Sequence, residues 1–128
     1  MLGNFQKSQL RIEINASEKA IRNSLLRAEQ LEKWQLSQGF IPGMPEELYS
    51  GFEFTTKTGR VAIHHQVDVL GTNCLRLLLS QGIDGFHEWY WGEGWLQSRI
   101  EGVTILPLAL GHSLSLLSLR SFLTGKAV

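Results

Sequence analysis

The histidines are the first side chains whose placement could support chemistry. His64 and His65 are adjacent in Arg60 to Leu70, a segment whose apolar residues recur at every second position. As a strand it turns the two rings to opposite faces, so they cannot jointly hold one metal ion. His65 shares its face with Val61, Ile63, Val67 and Val69. A histidine there is either a hydrogen-bonded core residue or a polar anchor and proton carrier inside a cavity. Glu88, Tyr90 and Arg99 are its candidate partners from neighbouring strands, and His65 is the one candidate for a catalytic role.

The densest signal is FHEWYWGEGWLQSR, residues 86–99, which holds three of the four tryptophans. A strand places Phe86, Glu88 and Tyr90 on one face and His87, Trp89 and Trp91 on the other. Two readings fit. Aromatic residues fill strand-lined cores, and they also form apolar ligand walls carrying a few polar groups. On the second reading His65, Trp89, Tyr90 and Trp91 are ligand-binding residues. Cys74 has no nearby base, and no nucleophile elbow, phosphate-cradling loop or paired-histidine metal spacing occurs. Gly92-Glu93-Gly94 is a turn, because a dinucleotide fingerprint needs a following helix. No metal and no cofactor are expected.

The elements that would position these residues follow from periodicity. Leu10, Ile12 and Ile14 alternate with Arg11 and Glu13 at the end of a first strand, Phe5 to Ile14. Ser17 caps a helical stretch running to about Gln35, as one bent helix or two short ones. Ser37 to Pro45, with Gly39, Pro42, Gly43 and Pro45, reads as a loop. Strands are expected at Leu48 to Thr56, Arg60 to Leu70, Cys74 to Gln81, Gly85 to Trp91 and Trp95 to about Ile105. Short glycine-bearing turns make neighbours antiparallel. Pro107 introduces a last helix in which Leu110, Leu114, Leu117 and Phe122 lie near one face, while Leu116, Leu119 and Leu123 widen it. This order is α+β: a curved antiparallel sheet of about six strands wrapped around a long C-terminal helix, with a short helical pair after strand 1. Leu110, Leu114 and Leu117 are then the helix's contribution to a ligand site.

Composition fits one such domain over residues 1–128. Hydrophobic residues make up 43% of the 128 residues and charged ones 19%, against roughly 25% charged in an average soluble domain. This excludes disorder, collagen-like repetition and a coiled coil. Twelve basic and twelve acidic groups cancel, leaving no field to attract nucleic acid or an anionic bilayer. Val103 to Leu119 is leucine-rich, but Pro107, Gly111, His112 and serines interrupt it, so no integral membrane span is expected. One cysteine and an N-terminus without an apolar leader point to the cytoplasm.

Three stretches carry a family resemblance: IEINASEKAIRNSLLRAEQLEKW, with Ile12, Ile14, Ala16, Leu25 and Trp34; the run of consecutive antiparallel strands; and the terminal helix ending in LSLLSLRSFL. Together they resemble the SRPBCC superfamily, the START-like, polyketide cyclase/dehydrase-like helix-grip proteins. GFHEWYWGEGWLQSRIEG is similar to a block in small cyanobacterial members without an assigned activity. The superfamily often has a seventh strand where six are legible here, which points to a small or partly collapsed cavity. The resemblance implies a cavity between sheet and helix, and it transfers no active-site residue, since the superfamily has no common catalytic set. The leading expectation is a binding protein for a hydrophobic small molecule such as a lipid, isoprenoid or polyketide-like compound. A cyclase- or dehydratase-like enzyme using His65 is the first alternative. An interaction or assembly module using Trp95 or the leucine-rich helix is the second, and the sequence sets no oligomeric state.

Overall fold

The alternation of Leu10, Ile12 and Ile14 with charged residues is realised as β1 (Asn4–Glu13) in a computed structural model that describes residues 3–35, 39–40 and 43–125. Ser17 then starts α1 (Glu18–Leu26), its hydroxyl accepting from the Ala20 amide at 3.0 Å. The helical stretch is two helices. Arg27 adopts an extended conformation and separates α1 from α2 (Ala28–Trp34). The Trp34 indole N–H donates to the Ser24 carbonyl at 2.8 Å and ties the pair together.

The remaining elements are β2 (Gly39–Phe40), β3 (Glu53–Thr58), β4 (Val61–Leu70), β5 (Cys74–Gln81), β6 (Asp84–Gly92), β7 (Trp95–Thr104) and α3 (Leu108–Thr124). They form one antiparallel sheet in the order β1-β7-β6-β5-β4-β3-β2, so the first strand closes against the last. The sheet thus has the six expected long strands plus a seventh of two residues. That seventh, β2, pairs Gly39 with Lys57 and Phe40 with Thr56 inside the segment expected to be loop. Ser37 and Pro42 of that segment lie outside the described residues.

Two expected strand faces shift. β3 begins at Glu53 rather than Leu48, because the Leu48 amide donates to the Leu26 carbonyl at 2.8 Å and Gly51 turns the chain at φ +88°. In β4 the register slips between Val67 and Val69. This bulge sends Val69 outward, 46% exposed, away from the buried face of Ile63 and Val67. Between β6 and β7, Gly85 lies directly opposite Gly102. A Cβ on Gly85 would meet the Glu101 carbonyl oxygen, and one on Gly102 would meet that of Asp84. Only glycine permits this close approach.

The concave face carries Leu75, Leu77, Leu79, Trp89, Trp91, Leu96 and Ile100, with Ile21, Leu25, Leu31 and Trp34 of α1 and α2 in the same core. α3 packs on β1 and β7 and against α1 and α2. Its buried face consists of Leu108, His112, Leu116 and Leu119. The expected orientation is therefore corrected: Leu110, Leu114 and Leu117 are 60%, 46% and 54% exposed. Leucines surround more than one side of this helix, so hydropathy does not fix its rotation. What fixes it is His112, which is buried because both ring nitrogens have hydroxyl partners.

Candidate functional site

α3 leans toward the β1 and β7 side of the sheet, and beside it a cavity of about 260 Å³ remains against the concave face. Its walls are mainly apolar: Ile63, Leu79, Ile83, Trp89 and Ile100 from the sheet, with Leu106 and Leu108 from the entry to α3. Three imidazoles, His65, His87 and His112, interrupt those walls together with Thr56, Thr58, Gln35 and Ser115. No charged side chain among the described residues lines it.

His65 lies on β4 with its ring stacked on Phe54, centroids 4.6 Å apart and planes within 2°. Its Nε2 is 3.0 Å from Thr56 Oγ1, while its Nδ1 is buried without a hydrogen-bond partner among the described residues. His87, on β6, rests on the Trp89 ring at 4.5 Å, and its Nε2 is 3.0 Å from Ser98 Oγ. His112 reaches the same serine from α3, Nε2 to Oγ 2.9 Å, while its Nδ1 is 2.7 Å from Ser8 Oγ on β1. These contacts join Ser8, His112, Ser98 and His87 into one hydrogen-bonded chain.

Burial keeps all three rings neutral. It lowers His65 to a pKa of about 4, assisted by the charge of neighbouring His64, and lowers His112 to about 4. His87 is pushed well below the usual histidine range, first by burial and then by His112 and His65. Behind the imidazoles, toward α1 and α2, lies a second space of about 40 Å³ bounded by Leu25, Leu31 and Trp34. Thr56, His65, His87 and Trp89 belong to the linings of both spaces.

Of the residues proposed from sequence for a ligand site, His65 and Trp89 meet in the cavity, and Leu110 and Leu114 stand at its rim. Trp91 is buried on the same sheet face but outside the cavity lining, and Leu117 is exposed away from it. Tyr90 is on the convex face, 41% exposed, with its hydroxyl donating to Glu88 at 2.9 Å; that bond raises its pKa. Glu88 lies opposite Arg99, and Arg99 pairs with Glu101 at 2.6 Å. The pairing of His65 with Glu88, Tyr90 or Arg99 is thereby corrected, since strand alternation puts all three on the far side of the sheet. His64 also faces outward, its Nε2 2.8 Å from Glu53. Sequence reasoning passed over His87, His112 and Ser98. The alternation that grouped His87 with Trp89 and Trp91 was the available signal for the first, and the spacing of His112 four residues from Leu108 and Leu116 for the second.

Among the described residues, no group of three His, Cys, Asp or Glu side chains is arranged to hold a metal ion, and no helix is long and apolar enough to cross a membrane. No protein-family model matches the chain, and no curated protein matches it. Solved structures do. Protein CV1439 from Chromobacterium violaceum is similar with a TM-score of 0.73 at 17% identity, covering 91% of this chain and 96% of that one. Protein jhp0584 from Helicobacter pylori gives 0.66 at 16% identity over 94% and 88%. DynU16, a protein of the dynemicin biosynthetic locus, gives 0.69 at 13% identity over 94% of this chain and 48% of its own length. At these identities the likeness carries the fold, a sheet gripping a C-terminal helix, and nothing finer.

Proposed function

We propose that the chain binds a small, uncharged and largely apolar molecule in the 260 Å³ cavity, as an SRPBCC-like protein of the cytoplasm. One observation carries this reading: apolar walls, with no charged side chain among the described residues, hold three neutral imidazoles. A ligand hydroxyl or carbonyl that meets one of these rings gains a hydrogen bond worth about 0.5–1.5 kcal/mol. A carboxylate would find no cation there. The volume sits below the roughly 300–1,000 Å³ of sites for drug-sized molecules, favouring one or two rings over a long lipid chain.

Native mass spectrometry of the purified protein, paired with displacement of an environment-sensitive naphthalene dye, tests the proposal. A co-purifying neutral compound, or saturable dye uptake that neutral bicyclic molecules reverse, is the expected result. Dye that does not bind, together with a bare protein mass, would overturn it.

A further inference from the structure

The chain from Ser8 to His87 runs from a half-buried residue of the edge strand β1 to the cavity wall through Ser98, which is fully buried, and His112, which is 5% exposed. Mutual hydrogen bonds satisfy these buried polar groups. Each hydroxyl and each neutral imidazole carries a single polar hydrogen, so the chain has two self-consistent arrangements. In the first, His87 Nε2–H donates to Ser98, Ser98 to His112 Nε2, and His112 Nδ1–H to Ser8, leaving a lone pair on His87 Nδ1. In the second every bond is reversed, and His87 Nδ1 carries a hydrogen. Among the described residues His87 Nδ1 has no hydrogen-bond partner, and His87 lines the cavity.

We propose that Ser8, His112, Ser98 and His87 form a proton relay through which His87 removes and returns an α-proton of an uncharged, enolisable ketone held in the cavity. The idea rests on the binding reading above and adds a reaction to it. The electron pair of the α C–H bond becomes the C=C bond of an enolate, and the carbonyl π pair moves onto oxygen. The proton goes to His87 Nδ1. In the same motion His87 passes its Nε2 proton to Ser98, Ser98 passes its own to His112 Nε2, His112 passes its Nδ1 proton to Ser8, and Ser8 releases one to water. The relay ends in its second arrangement with no member charged. Running the steps backwards returns a proton from water to carbon, so the only net change is exchange of carbon-bound hydrogen with solvent.

Neutral rings suit this task. Burial keeps the base unprotonated at pH 7, and a relay whose own members end neutral avoids the cost of a buried imidazolium, the enolate being the one charge left in the site. His87 is the catalytic residue here, and Ser98, His112 and Ser8 are positioning residues that act through it.

The test uses the full chain and 2-tetralone in deuterium oxide, following loss of the C1 protons by NMR and measuring ketone affinity separately by tryptophan fluorescence. Wild-type protein is expected to accelerate exchange by about 10²–10⁴ over buffer, the usual range for a positioned acid–base group. His87→Gln removes the acceleration. Ser8→Ala, at the half-buried far end, lowers the exchange rate about tenfold with affinity within about twofold, and Ser8→Thr, which keeps the hydroxyl, restores it. A purely structural role for Ser8 would not separate rate from affinity in this way. Ketone bound with exchange at the buffer rate overturns the relay and leaves the binding proposal standing, as does an unchanged rate in Ser8→Ala. Failure of the ketone and the naphthalene dye to bind overturns both.

Discussion

His87 and His112 meet edge to face, ring centroids 5.6 Å apart and planes at 81°, one carried by the sheet and the other by the helix it grips. Both are neutral in the folded protein, and so is His65.

This arrangement sets an acid limit on stability. Unfolded imidazoles titrate near 6.5, while His65 and His112 titrate near 4 when folded. Between those values the unfolded chain binds more protons. Their stabilisation is therefore complete above pH 6.5, falls as pH drops, and levels off below 4. Each ring contributes a slope of up to about 1.4 kcal/mol per pH unit. Urea unfolding between pH 7 and 4.5 should show the decline, and His112→Gln should remove one ring's share. A stability that stays level across the range contradicts the neutral-histidine core.

The rotation of α3 is open to a direct comparison. Leu119 is fully buried and Leu117 is 54% exposed. Leu119→Ala should cost about 2–5 kcal/mol, whereas Leu117→Ala should stay within about 0.5 kcal/mol. Equal losses in denaturant midpoint would mean that the helix faces the sheet differently.

Tyr90 and Leu79 separate the two faces of the sheet. Tyr90→Phe removes a hydroxyl on the convex side and should leave dye uptake unchanged. Leu79→Trp fills the cavity from within and should abolish uptake while the chain still folds, as judged by circular dichroism. A loss of binding in Tyr90→Phe would place the ligand site outside the cavity.

Gly85 faces Gly102 across the β6–β7 ladder, where a side chain on either meets opposing backbone. Gly85→Val should cost about 1–3 kcal/mol or more, since backbone cannot move aside as a side-chain tip can. Calorimetry would show this as a lowered Tm. A variant as stable as the parent would mean that the strands tolerate a wider separation here.

The six long strands and the terminal helix were legible because strict alternation in residues such as Ile12, Ile14, Trp89 and Trp91 encodes a half-buried sheet directly. β2 was not, because two residues are too short to display a period. Val69 misled for a different reason: a bulge changes which face a residue takes without altering the apolar pattern around it. The site was half visible. Alternation placed His87 beside Trp89, but the value of His87 depends on Ser98 and His112, which come together only when β7 and α3 pack. Leu110, Leu114 and Leu117 stood out as hydrophobic, yet the buried polar residue between them set the helix's orientation.

The space of about 40 Å³ behind His65, His87 and Trp89 has room for a water molecule, which needs about 10–15 Å³ of such volume. Thr56, His65, His87 and Trp89 wall both spaces, so each of these side chains meets a ligand on one side and the second space on the other. A change at Leu25 or Leu31, which line only the second space, therefore reaches a ligand through the shared wall and not by contact.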